Sequence, residues 1–209
     1  MLITARRQFC FALIAFSVAA GAPGAGAADP QSDAREIIRA MGEAVIATLA
    51  ASADKSKREA VFGELYRRNF DNAGLAAWAA GRAYAAASPA ERKEYLKAFE
   101  TYIVKAYAAQ LSKYKGERLR VEKSEADGQE VVVISKLVHP DPSAAQELEF
   151  KWRLRQVGGR LLVTDVVIDK ISMALTEKRA FTDWLREKGG SLAGLTQKLQ
   201  EKIAAVDKD

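Results

Sequence analysis

The stretch GGRLLVTDVVIDKISMALTEKRAF, Gly158 to Phe181, decides the fold. It opens on a glycine pair that makes a tight turn, runs as an apolar strand from Arg160, and passes into a helix without an intervening loop. Two aspartates, Asp165 and Asp169, stand in the otherwise apolar run. A strand this apolar needs a cover on at least one face, and the helix that follows is the nearest candidate.

Working back from Gly158, the segment ELEFKWRLR alternates strictly. Leu148, Phe150, Trp152 and Leu154 point one way, and Glu149, Lys151, Arg153 and Arg155 point to water. The loop from Pro140 to Ser143 precedes it. Before that loop EVVVISKLV, with Val133 at its centre, is a second strand, and Asp127-Gly128 turns it back onto a third that carries Leu119 and Val121. The pattern predicts a four-stranded antiparallel meander with one wet face and one covered face.

The cover comes from both ends of the chain. Ile38, Met41, Val45 and Leu49 recur at helical spacing. Ser56 and Glu59 form a capping-box pattern for a second helix with Phe62 and Leu65, and Asp71 or Asn72 caps a third through Leu75 and Trp78. Ser88-Pro89-Ala90-Glu91 combines a cap, a proline at the first helical position and a reciprocal Glu. It predicts a long helix from Pro89 to Tyr114, with Tyr95, Phe99, Tyr102, Ile103, Ala106 and Tyr107 on one broad face. Two more helices follow the sheet, one with Phe181, Trp184 and Leu185 and one with Leu192, Leu195, Leu199 and Ile203. The expected class is α+β, helices wrapped over one face of a curved sheet.

The first 27 residues read as a cleavable secretory leader: Arg6 and Arg7, an apolar run from Phe9 to Ala20, then Ala25-Gly26-Ala27. That run is shorter than the ~20 residues needed to span a bilayer. RRQF also resembles the start of a twin-arginine signal. The reading places the mature start at Ala28, the protein in the periplasm, and a single domain over 28–209. The sole cysteine, Cys10, falls in the leader, so no disulfide is expected and the core must suffice alone. Losing Arg6 and Arg7 takes two charges from the formal +5, which leaves a balance too mild for a nucleic-acid footprint.

Common catalytic constellations are missing. His139 is the single histidine and stands in the loop LVHPDP, so neither a metal cluster nor a nucleophile–histidine pair can be assembled at the usual spacings. No glycine-rich phosphate loop is present, and Gly189-Gly190 lacks the surrounding pattern. The basic groups Lys55, Lys57, Arg58 and Arg67, Arg68 read as a solvated face, or as a docking face for an anionic headgroup or an export partner.

The order FGELYRRNFD, AAGRAY, SPAERKEYLKAFETYIVKAYAAQLSKYKG and RLLVTDVVIDKISMALTEKRAF, then a Gly-containing break and a last helix, resembles the MlaC (toluene-tolerance) family of periplasmic lipid-binding proteins. The likeness spans Ala60 to Leu199 and rests on Phe62, Phe70, Asp71, Gly81, Phe99, Tyr107, Tyr114, Gly116, Asp165, Ser172, Arg179, Phe181 and Gly189. Leu161 stands where the family usually has Trp, and Lys170 replaces a Gly. Ser172-Met173-Ala174 and Gly189-Gly190 are closer to the hopanoid-associated HpnM branch.

The resemblance implies a monomeric carrier with no chemistry of its own and no cofactor. It would hold phospholipid or hopanoid in an apolar cavity between sheet and helices, and exchange it with an inner-membrane ABC-type system and an outer-membrane lipoprotein complex. The implied lining is Phe62, Leu65, Phe70 and Trp78 from the early helices; Phe99, Tyr102, Ile103 and Tyr107 from the long helix; Val133, Phe150, Trp152, Val163 and Val167 from the sheet; and Phe181 and Leu185 after it. Asp165, if it points inward, needs a partner, for which Arg179 is the candidate. Two other classes remain open on the residues alone: a nuclear-transport-factor-like enzyme with acid–base groups in a cone-shaped cavity, and a lipid-free adaptor using its aromatic helices.

Overall fold

The computed structural model describes residues 29–51, 54–110, 116–141 and 147–208. The leader, Tyr114 and the segment from Pro142 to Ser143 lie outside them. Five helices come first: α1 (Pro30–Ala51), α2 (Lys55–Asn69), α3 (Asn72–Ala80), α4 (Arg82–Ala86) and α5 (Pro89–Gln110). Then come β1 (Arg118–Asp127), β2 (Glu130–Val138), β3 (Leu148–Val157), β4 (Arg160–Ile168) and β5 (Ile171–Ser172), followed by α6 (Met173–Glu187) and α7 (Leu192–Val206). The sheet is an antiparallel meander in the order β1-β2-β3-β4-β5. The four expected strands are all present. The fifth is a two-residue return that pairs Ser172 with Val167 and Ile171 with Ile168 just before α6.

Local chemistry sets the boundaries. Ser88 and Glu91 form the expected capping box: the Ser88 backbone N–H donates to Glu91 Oε2 at 2.8 Å and the Glu91 N–H to Ser88 Oγ at 3.3 Å. Asp71 caps α3 by accepting from the Gly74 N–H at 2.9 Å. A Cβ on Gly74 would lie 2.1 Å from Asp71 Oδ2, so this cap needs glycine there. At α2 the expectation is corrected. Asp54, not Ser56, is the N-cap and accepts from the Ser56 and Lys57 N–H groups at 2.8 and 3.4 Å, because a carboxylate two residues upstream reaches the free donors first. The β3–β4 turn uses Gly158 and Gly159 at φ 56° and 79°, the left-handed pair of a tight hairpin.

Helices cover one face, and packing there divides into two clusters. In the first, α5 carries Tyr95, Phe99 and Ile103 against Ala76, Ala79 and Ala80 of α3, Phe181 of α6, and Leu192, Leu195 and Leu199 of α7. In the second, Ala34, Ile38 and Met41 of α1 sit on Val131, Val133, Leu154 and Val163 of the sheet. Phe70, at the α2–α3 junction, packs against both. It bridges to Val163 of β4, and the Asp71 N–H donates to the Val163 carbonyl at 3.0 Å.

A register break in β4 shapes everything nearby. Arg153 pairs with Asp165 but Leu154 pairs with Val163, so Thr164 is an extra residue, a β-bulge. The bulge reverses the alternation: Val163 faces inward opposite Leu154, and beyond it Val166 and Ile168 face inward opposite Trp152 and Phe150. Val167, expected on the inner floor, is thereby turned outward beside Lys151.

Candidate functional site

Between the two clusters the side chains of sheet and helices do not meet. They leave a cavity of about 770 Å³. Its floor is the inner face of the sheet, with Leu119, Leu137, Leu148, Phe150, Trp152, Val166 and Ile168. The rings of Phe150 and Trp152 stack at 5.8 Å, and Trp152 Nε1 donates to the fully buried Ser135 Oγ at 2.9 Å, which pairs the two polar groups with each other. The walls are Met41, Gly42, Val45, Ile46 and Leu49 of α1; Phe62, Leu65 and Tyr66 of α2; Leu75, Trp78 and Ala79 of α3; Phe99, Ile103 and Tyr107 of α5; and Met173, Ala174 and Glu177 of α6.

Of the residues expected to line it, Phe62, Leu65, Phe70, Trp78, Phe99, Ile103, Tyr107, Phe150 and Trp152 are on the wall. The rest are placed elsewhere. Val133 and Val163 are fully buried in the sheet cluster, and Phe181 is fully buried in the helical one. Tyr102 and Leu185 pack against that helical cluster, and Val167 is turned away by the bulge. The expected pairing of Asp165 with Arg179 is also corrected. Asp165 accepts from Ser172 Oγ at 2.7 Å and from the Ala174 N–H at 3.0 Å, tying β4 to the start of α6, while Arg179 is exposed. The short β4–β5 turn brings these donors to Asp165 before α6 has advanced far enough to present Arg179.

Glu177 is the polar residue the sequence reading did not identify. It faces the cavity and accepts from Tyr107 Oη at 3.1 Å, with Tyr102 as a second phenol partner. Burial pushes its carboxyl above the usual range, and the two phenol bonds only partly offset this. The Tyr107 phenol is pushed up in turn, by burial first and then by the charge of Glu177. A signal did exist: Met173, Glu177, Phe181 and Trp184 fall on one helical face, an acid in an apolar stripe. The α1 contribution had its signal too, in the spacing of Met41, Val45 and Leu49, but nothing in sequence said which element that stripe would face.

His139 takes the Asp141 N–H on Nδ1 at 3.0 Å in the loop after β2 and is not on the cavity wall. Among the described residues no group of three His, Cys, Asp or Glu side chains could hold a metal, and no helix is long and apolar enough to cross a membrane. What the geometry defines is a protein with an apolar hollow between a curled sheet and its helical cover.

The family model for MlaC protein matches residues 39–201, so the chain belongs to the MlaC family. A solved structure of the phospholipid-binding protein from Ralstonia solanacearum, in complex with a phospholipid, has the same fold. It superposes with a TM-score of 0.72 at 20% sequence identity, over 83% of this chain and 98% of that one.

Proposed function

We propose that this protein is a periplasmic lipid carrier: it takes the acyl tails of a phospholipid into the cavity and shuttles the lipid between membranes with a transport complex. The observation that carries the reading is the cavity itself. Packed interiors leave few voids larger than a water molecule, so an apolar-lined hollow of about 770 Å³ is no ordinary packing defect and falls in the size range of ligand pockets, ~300–1,000 Å³. Its size and apolar lining suit an apolar ligand.

The size suits two tails. An apolar cavity of ~150 Å³ accommodates benzene, so about five times that space holds on the order of thirty carbons. Burying them from water is worth ~0.8 kcal/mol per CH₂. Exchange with a bilayer, which is equally apolar, stays near balance and leaves the cargo releasable. The Ralstonia protein of the same fold binds a phospholipid, which supports the same cargo here. The leader pattern ending at Ala27 supports export, cleavage before Ala28 and a single mature domain.

The test is gentle purification from the exporting cell followed by native mass spectrometry and lipid extraction. The expected result is a chain starting at Ala28 with one two-tailed phospholipid bound. A triterpenoid in its place would assign the hopanoid cargo. Protein that is empty, and that takes up no lipid from vesicles, would refute the carrier.

A further inference from the structure

The lining of the hollow is short of one kind of group. Among the described residues it includes Glu117, Asp165 and Glu177 but no lysine, arginine or histidine, so no cation on that wall can meet an anion. Three of its polar groups are bonded within the protein. Tyr66 Oη donates to Asn72 Oδ1 at 3.1 Å, Trp152 Nε1 donates to Ser135 Oγ at 2.9 Å, and the two oxygens of Asp165 accept from Ser172 Oγ and the Ala174 N–H.

Glu177 is left with less. Tyr107 Oη donates to it at 3.1 Å and Tyr102 is its second phenol partner, and it forms no ion pair among the described residues. An ionised carboxylate has about four acceptor sites. Two phenols therefore leave about half of them unused, on a side chain that lines an apolar hollow. An acid so placed costs stability, and acyl tails alone have no use for it.

We propose that Glu177 is the specificity-determining residue of the hollow: its carboxyl accepts a hydrogen bond from an uncharged hydroxyl of the cargo and turns away an anionic head. The inference rests on the carrier reading above and adds which chemistry the hollow admits besides apolar tails. The effect is asymmetric. A hydroxyl brings a donor to the unused acceptor sites and gains a charge-assisted bond in surroundings of low dielectric. A carboxylate or phosphate brings like charge into the same apolar space, where one of the two acids must take up a proton. An ester brings acceptors only, and gains nothing from an ionised Glu177. A phospholipid is then held with its tails inside and its phosphate outside, a lipid alcohol gains one further bond, and a free fatty acid with the same tail is disfavoured.

The experiment displaces a neutral fluorescent reporter, N-phenylnaphthylamine, from delipidated protein at neutral pH with dodecanol, methyl dodecanoate or dodecanoate, each below its aggregation concentration. Wild type should bind the alcohol about tenfold more tightly than the ester, the worth of one hydrogen bond to a charged group, and the acid more weakly than either. A charged head also dissolves better in water, so the deciding quantity is how each affinity ratio changes on substitution. Glu177→Gln removes the charge at constant shape. It should bring the alcohol-to-ester ratio close to one and raise the acid-to-ester ratio about tenfold. Glu177→Asp, which keeps the charge, should still exclude the acid, and Glu64→Gln, the same charge change at an exposed position of α2 off the lining, should leave both ratios as in wild type. Ratios that Glu177→Gln does not move, or that Glu64→Gln moves as far, would overturn the role of Glu177 and leave the tail cavity standing. So would a wild type that takes up phospholipid from vesicles but binds none of the three ligands. A wild type that binds neither these ligands nor phospholipid would overturn the carrier reading and this one with it.

Discussion

Two valines on β4 make the sharpest test of where core ends and cavity begins. Val163 and Val166 both face inward, on opposite sides of the Thr164 bulge. Val163 is fully buried among Ile38, Leu154 and Phe70, and its carbonyl receives the Asp71 N–H. Val166 is half-buried and lines the cavity. A Val→Trp substitution adds about seven heavy atoms at either site. At Val163 there is no room, and overpacking of this kind costs ~1–3 kcal/mol or more. For a domain of ~150–250 residues that is about 2–4 °C of melting temperature per kcal/mol, so a fall of roughly 2–12 °C is expected.

At Val166 the indole enters a space for on the order of thirty carbons, takes about a quarter of it, and displaces the equivalent length of tail. The Val166→Trp protein should therefore melt within a degree or two of wild type and lose most of its lipid. Both proteins must be delipidated before melting, because bound lipid stabilises the parent by mass action. The assay is differential scanning calorimetry of the lipid-free proteins beside lipid quantitation after vesicle exchange. A Val166→Trp protein as destabilised as Val163→Trp would mean the hollow closes in solution, and the cavity argument fails.

Three further outcomes are expected. Burial raises the Glu177 carboxyl above its unfolded value near 4.3. The native state then binds more protons than the unfolded one, so the Glu177 contribution is fully present below about pH 4.3 and is lost as pH rises through the folded value. Glu177→Gln should flatten the melting temperature against pH above that point, and superimposable curves would refute the shift. Asp165→Ala leaves Ser172 Oγ and the Ala174 N–H without their acceptor and should cost ~1–3 kcal/mol in urea unfolding, whereas Arg179→Ala should stay within ~0.5 kcal/mol; equal effects would restore the pairing of the two. In hydrogen exchange, amides 45–49 of α1, whose side chains Val45, Ile46 and Leu49 face the hollow, should slow markedly on lipid loading while those around Ile38 do not change. Uniform slowing along α1 would count against a wall that depends on its cargo.

The layers of the fold were legible because their signals are local. Alternation in ELEFKWRLR, the glycine turns at Gly128 and Gly158-Gly159, and the Ser88–Glu91 box each fix a boundary through neighbouring residues, and the sheet order follows from hairpins too short to cross over. The cavity wall was legible only in part. Its aromatic members on α2, α3, α5 and β3 could be named, but Val133, Val163 and Phe181 carry the same apolar signature whether they face a hollow or a packed neighbour. The bulge was invisible, since nothing in Val163-Thr164-Asp165-Val166 marks one extra residue, and missing it put Val167 on the wrong face. Which side of α1 meets the sheet and which meets the hollow depends on where the helix lies, a tertiary fact that periodicity does not contain.

The hollow and the stability of the chain are compatible because the apolar load is split. The helical cluster on α5 and the sheet cluster under the first half of α1 are each packed closely enough to hold their own elements. They join at one seam, where Phe70 touches both and the Asp71 N–H meets the Val163 carbonyl. The cavity lies beside that seam, against the second half of α1 and against Phe62, Leu65 and Tyr66 of α2. A tail can therefore enter, or a bulkier one be accommodated, by shifting side chains such as Val45, Ile46, Leu49 and Phe62, which neither cluster needs for its packing. A carrier gains from this arrangement. On the proposed carrier function, cargo binding would order one wall while the packed clusters stay as they are, so release would not require the protein to come apart.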